Sequence, residues 1–250
     1  MANPNLSLLV GMAQAMGSVC DRVVFVGGCA TGLLLSNADL MDVRATEDVD
    51  AIVEVATLVG YHALAKELMN RGFKQTMEDN TPPFRWYWQR MQLDLVPLDE
   101  KVLGFANRWY RTGFAAASKA EVFPGLVLRH LSAPYFLATK FEAFNDRGRN
   151  DVYASHDLED ILTVVEGRSE LMQEMSVADA EVRQHVVTCV CRLLANPAFL
   201  NALPGLLSQP DREPLVRSRL QQLARSTSRR QLARQEATEL LQCECGERMT

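Results

Sequence analysis

The sequence predicts an α/β protein, with a mixed sheet in the first 130 residues and a helical region after it. Three observations predict this. Short β-branched or alternating runs recur up to about residue 130. A proline pair opens a hairpin-like couple of alternating segments. From Ala133 onward the strand signals vanish and only helical patterning remains. The expected division is therefore 1–130 as an α/β core and 131–250 as a helical region packed closely on it.

Taken in order, residues 5–18 form an amphipathic helix with Leu8, Leu9, Met12 and Met16 on one side. Residues 23–26 are a buried strand ended by Gly27-Gly28, and 30–35 have helical composition. Residues 49–55 alternate apolar and acidic positions as a second strand. A helix over 61–71 closes at Gly72. Pro82-Pro83 opens the strand pair 84–89 and 92–96, and residues 126–129 make a fifth strand. Helices follow over 135–144 and 156–166, separated by the polar break 145–150. Ser176 with Asp179 reads as a capping box for a helix reaching Ala195. Pro197, Pro204, Pro210 and Pro214 punctuate shorter pieces before a last helix or pair over 215–241.

Hydrophobic residues at 48% and charged ones at 23% rule out wholesale disorder. A net charge of −5 argues against a protein that coats nucleic acid over its whole surface. The uncharged apolar stretch 23–38 is too short to span a bilayer, so no membrane partner is expected. The start Met-Ala-Asn-Pro lacks a signal peptide's basic and apolar regions, and the cytoplasm is the expected compartment. Six cysteines are too few for a disulfide scaffold. Cys20 and Cys29 read as small core residues, and Cys189 and Cys191 point to nearly opposite helix faces. A zinc site combining that pair with Cys243 and Cys245 lacks the usual C-x-x-C spacing; buried or idle thiols are the better reading.

The informative constellation is Gly27-Gly28, then Asp48-Val49-Asp50, then Asp94 between Leu93 and Leu95. Residues two apart on a strand share a face, so Asp48 and Asp50 lie side by side. Like charges that close need a cation, and a hard, oxygen-seeking Mg²⁺ (or Mn²⁺) suits them. Asp94, an acid inside an apolar strand, supplies a third ligand. Such a trio can hold two ions for an in-line phosphoryl displacement. The glycine pair offers backbone N–H groups to phosphates, and the Thr31 hydroxyl adds one more donor.

These residues resemble the nucleotidyltransferase superfamily, with its hG-G/S…Dh[D/E]h…h[D/E]h pattern. More narrowly, the strand ending in Gly27-Gly28 and the run Arg44-x-Thr46-x-Asp48-x-Asp50 are similar to AbiEii-type nucleotidyltransferases, toxins of type IV toxin–antitoxin and phage-abortive systems. The resemblance covers residues 22–165. It implies a polymerase-beta-like minimal fold and a helical lysine, matched by Lys140, followed by a closing acid, matched around Asp157 and Asp160. The family's usual Lys-Asp pair reads His156-Asp157 here.

The expected activity is transfer of a nucleoside monophosphate from an NTP (ATP or another) to an acceptor hydroxyl. Asp48, Asp50 and Asp94 hold metal, and Asp94 helps to deprotonate the acceptor. Gly27, Gly28 and Thr31 hold phosphates, while Lys140 offsets their charge. Arg44 and Thr46 either order the loop before Asp48 or touch nucleotide, as does Asp157 in the closing motif. Arg147 and Arg149 either grip phosphate or sit in a solvated loop. Trp86, Tyr87 and Trp88 either pack in the sheet or offer a stacking surface for a base. The resemblance implies an RNA or tRNA acceptor and an antitoxin partner.

Residues 211–235 hold seven arginines against two acids, contributing +5 and leaving −10 elsewhere. Arg217, Arg219, Arg225, Arg229, Arg230 and Arg234 there either seat RNA or clamp the acidic part. The alternatives are an antibiotic-type, small-molecule nucleotidyltransferase and a non-catalytic nucleotide-binding module of the same fold.

Overall fold

In the computed structural model, which describes residues 3–37, 42–76, 81–146 and 150–226, six strands make one mixed sheet. They are β1 (Val23–Val26), β2 (Asp48–Val53), β3 (Arg85–Trp88), β4 (Met91–Pro97), β5 (Ser118–Phe123) and β6 (Leu126–His130). Their spatial order is β3-β4-β2-β1-β6-β5. β2 runs parallel to β4 and antiparallel to β1, while β3 and β5 close the edges as antiparallel hairpin partners of β4 and β6.

Five strands match those expected from the sequence; β5 is the addition. Its residues alternate between half-buried and exposed, with Lys119 and Glu121 facing out. An edge strand needs only one apolar face and tolerates charge on the other, so its hydrophobic signal is weak.

The two faces of the sheet bury different cores. Alternate residues of the central strands (Phe25, Val49, Ala51, Leu93, Leu95) and Trp86 pack with α1 (Leu6–Met16) and α2 (Leu58–Asn70). The opposite set (Val24, Val26, Ile52, Val96) packs under α5 (Ala133–Asn145) and α6 (His156–Gly167). The period-2 alternation of a strand thus assigns each carboxylate of β2 and β4 to the face covered by the later helices. α5 is enclosed on nearly every side, from Ala133 through Phe141, which is why its sequence is apolar all round.

Two shorter helices, α3 (Glu100–Leu103) and α4 (Tyr110–Ala115), link β4 to β5. Beyond α6 come α7 (Leu171–Val177), α8 (Ala180–Leu194), α9 (Pro197–Leu206) and α10 (residues 213–226).

The capping box expected at Ser176 does not form. Ser176 lies inside α7, where its hydroxyl donates to the Gln173 carbonyl at 2.7 Å. Ala178, with extended backbone, separates the two helices. Asp179 precedes α8 but accepts from the Tyr135 hydroxyl rather than capping. No single helix among the described residues is long and apolar enough to cross a membrane.

Candidate metal and nucleotide site

Strand register assembles the site. Asp50 stands opposite Asp94 in the parallel β2–β4 pair, and Asp94 stands opposite Arg85 in the antiparallel β3–β4 pair. Asp48 sits two residues before Asp50 on the same face, opposite Gln92. The three aspartates each offer a carboxylate oxygen, and these oxygens all lie within 4.8 Å of one another. The donor set is all-oxygen and acceptor-only, so it fits a hard divalent cation such as Mg²⁺ or Mn²⁺.

The other compensating charge is Arg85. Its Nε and Nη2 donate to Asp94 Oδ1 and Oδ2 at 2.8 and 2.7 Å, a bidentate fork. The attachment to Asp94 holds its guanidinium well above the ordinary arginine range.

The approach to Asp48 is fixed from outside the sheet. The Thr46 hydroxyl donates to Asp48 Oδ1. Asn5, 1% exposed, accepts from the Thr46 N–H and donates to the Arg44 carbonyl, both at 3.0 Å. The residue just before α1 therefore staples the loop that delivers the first carboxylate.

Gly27 has φ 67° and ψ −168°, a region essentially closed to other residues. An added Cβ there would lie 1.9 Å from Asp50 Oδ2. The glycine is thus required by the chain's own carboxylate. A Cβ on Gly28 would lie 2.8 Å from Arg44 Nη2, so Gly28 makes room for that guanidinium. Arg44 reaches Asp160 at 3.6 Å and Glu159 at 3.8 Å, tying the loop before β2 to α6. Thr31 is fully enclosed, with its hydroxyl unpartnered among the described residues.

Lys140 sits on α5 with 6% exposure. Its Nζ lies 2.9 Å from Asp157 Oδ1 and 2.6 Å from Asp160 Oδ2, carboxylates one turn apart on α6. Burial alone would lower its pKa, but Asp160 and Asp157 outweigh that and hold it above the ordinary lysine range. Asp157 also occupies the first turn of α6, behind the Ser155 cap, where a helix favours negative charge. Cys29, beside the site, is pushed far up by burial and the nearby Asp50, so it remains an inert thiol.

A cleft of about 410 Å³ opens over these groups. Gly27, Asp50, Asp94, Lys140 and Asp157 line it, together with Arg85 and the ring of Phe84. Phe84 lies 5.6 Å from Phe105, centroid to centroid, and Phe105 is 47% exposed at the mouth. Trp86 does not reach the cleft; it is fully buried and donates to the Tyr61 hydroxyl at 3.3 Å. Trp88 packs against Phe73 and donates to the Arg71 carbonyl.

The described arginines of the C-terminal segment are mostly engaged inside the molecule. Arg212 pairs with Glu166 at 3.0 Å and Arg217 with Glu213. Arg219 donates to the Val165 and Glu166 carbonyls at the end of α6. Arg225 is exposed. Arg147, Arg149, Arg229, Arg230, Arg234, Cys243 and Cys245 lie outside the described residues. Among the four described cysteines, Cys189 is buried and Cys191 exposed, as their spacing predicts.

Sequence reasoning missed Arg85, Asn5 and the Phe84–Phe105 pair. Arg85 had a usable signal. Counting back along the hairpin places it across from the one acid within an apolar strand, where a cation is expected. Asn5 had none, because its partners are 39 and 41 residues away.

No family model and no curated protein matches this sequence. Solved structures do. An antigenic nucleotidyltransferase-like protein from Paracoccidioides brasiliensis aligns over 80% of this chain and 91% of its own, with TM-score 0.50 and 19% identity. The solution structure of the antibiotic-resistance factor ANT(2″)-Ia aligns over 76% of this chain and 95% of its own, with TM-score 0.45 and 16% identity. The chain therefore has a nucleotidyltransferase-like fold.

Proposed function

We infer that this protein is a Mg²⁺-dependent nucleotidyltransferase that moves a nucleoside monophosphate from an NTP to an acceptor hydroxyl. The observation carrying this is the convergence of Asp48, Asp50 and Asp94 within 4.8 Å on one sheet face, with Asp50 and Asp94 lining a cleft backed by Lys140. When bound there, divalent ions would neutralise the triphosphate and stabilise the attacking and leaving oxygens. Gly27 leaves the end of β1 open to phosphate. Lys140 supplies a fixed positive charge behind that end, held by Asp157 and Asp160. The acceptor oxygen bonds to the α-phosphorus, the bond to the bridging oxygen breaks, and pyrophosphate leaves. The acceptor's proton passes to the carboxylate trio, with Asp94 on the acceptor side.

In-line displacement separates attacking and leaving groups. Pyrophosphate at the Gly27 end implies that the acceptor enters from the β3 end, past Phe84 and Phe105. The exposed Phe105 ring favours an acceptor with a flat base, and the Arg44-x-Thr46-x-Asp48-x-Asp50 run favours RNA, as in the toxins it resembles. An antitoxin partner belongs to that same reading. One observation favours a small cationic acceptor instead. Asp146 adds acid to the cleft, where Glu142 is paired with Arg108 at 3.0 Å, while Arg212 and Arg219 are spent on internal contacts.

The test is incubation with each α-labelled NTP and Mg²⁺, offering total tRNA or an aminoglycoside as acceptor, for the native chain and Asp48→Ala. Label on tRNA that vanishes in the variant supports the RNA reading, and label on the aminoglycoside supports the second. NTP binding without transfer to either would leave a non-catalytic module.

A further inference from the structure

We propose that Arg85 is the resident counter-ion of the carboxylate site, exchanged for a divalent ion at Asp94 when the site loads. This rests on the metal-dependent reading above but concerns a different step, the entry of the metal rather than transfer. Both oxygens of Asp94 are committed to one guanidinium, at 2.8 and 2.7 Å. Asp94 is buried and faces Asp50 across the parallel pair, so its charge cannot be left to solvent. A divalent ion held by Asp94 and its two neighbours would compete with that fork for the same oxygens.

The sequence also provides a place for the guanidinium to go. Gln92 lies two residues before Asp94 on the same face. With its amide oxygen turned to the guanidinium, it accepts from Arg85 Nε at 3.1 Å and Nη2 at 3.2 Å. The two donors that grip Asp94 therefore already share a neutral acceptor, which retains them when Asp94 turns to metal. Arg85 is partly exposed and lines the cleft, so its displacement requires no repacking of the core. The Lys140 site differs in this respect, since its lysine is buried and held by two carboxylates.

The test measures Mn²⁺ binding by paramagnetic resonance, without nucleotide or acceptor, so it does not depend on transfer activity. Arg85→Gln is expected to bind Mn²⁺ roughly tenfold more tightly than the native chain. In an Asp94→Asn background the same substitution is expected to change binding less than about twofold, because the competing fork is already gone. Unchanged or weaker binding in Arg85→Gln would overturn the proposal and make Arg85 a simple support for Asp94. An equal gain with Asp94→Asn would also overturn it, as an effect of net charge alone. If Arg85→Gln does not fold, Arg85→Lys keeps the charge without the fork. Its Mn²⁺ affinity should still rise by a few-fold, and no rise would overturn the proposal. If metal binds as expected but no acceptor is ever labelled, the exchange stands and the transferase reading fails.

Discussion

The two ends of the cleft solve the same electrostatic problem in different ways. At the α5–α6 end a lysine buried on a helix apolar all round meets two carboxylates of α6. At the β3–β4 end a partly exposed arginine meets one carboxylate that two more carboxylates crowd. The first arrangement is satisfied by the chain itself and costs several kcal/mol to break. The second is left with excess negative charge, and its cation can be replaced. One end is a permanent part of the core; the other is a binding site held ready by a stand-in.

The sharpest way to break this contrast is Lys140→Met, which keeps length and removes charge. Two acids, at 7% and 2% exposure, would lose the lysine they share, leaving Arg44 3.6 Å from Asp160. The expected loss is about 3 kcal/mol of stability, read from the urea midpoint, with nucleotide binding falling as well. The pH dependence has a definite sign. Lys140 has a folded pKa above its ordinary 10.5. Its contribution is therefore complete below that value and lost only as pH rises through the folded pKa. The native chain should show this alkaline limb, and Lys140→Met should lack it.

Gly27→Ala strikes at Asp50, the carboxylate opposite Asp94. Its backbone lies in glycine's own region, and a Cβ would collide with Asp50 Oδ2. Strain of this kind costs about 1–3 kcal/mol. The displaced Asp50 should weaken Mn²⁺ binding as well, measured alongside the thermal midpoint. A stable variant with native Mn²⁺ affinity would mean that the close approach of Asp50 is not required.

What the sequence disclosed about each end follows the same division. Asp50 and Asp94 were legible because a carboxylate between apolar strand residues violates a strong local pattern, and strand periodicity puts Asp48 on the same face as Asp50. Lys140 was legible only through resemblance, since a lysine on a helix is ordinarily a surface residue. Its burial follows from α6 and α8 closing over α5, a tertiary fact that no window of sequence contains. The sixth strand was lost because an edge pairs on one side and keeps charge on the other. Composition left the arginine-rich segment open between an RNA seat and an internal clamp. Charge counted along the chain does not reveal that Arg212 and Arg219 turn inward to Glu166 and the end of α6.

The smallest expected effect probes the exchangeable end from the acceptor's side. Phe105 lies in the segment between α3 and α4, tilted 34° against Phe84, and leaves nearly half its surface to water beside charged groups. Removing it should cost less stability than removing a core ring, because about half of it stays in water. If its face meets a flat base of the acceptor, Phe105→Ala loses about 1–3 kcal/mol of acceptor binding. Competition from solvent and neighbouring contacts places the expectation near the lower bound. The acceptor's KM should then rise by about fivefold to tenfold while the KM for NTP stays as it was, and Phe105→Trp should restore it. A rise in the NTP's KM instead would move the ring to the donor's base. The acceptor would then enter from some other wall of the cleft, and the assignment of Asp94 to the acceptor side would fall with it.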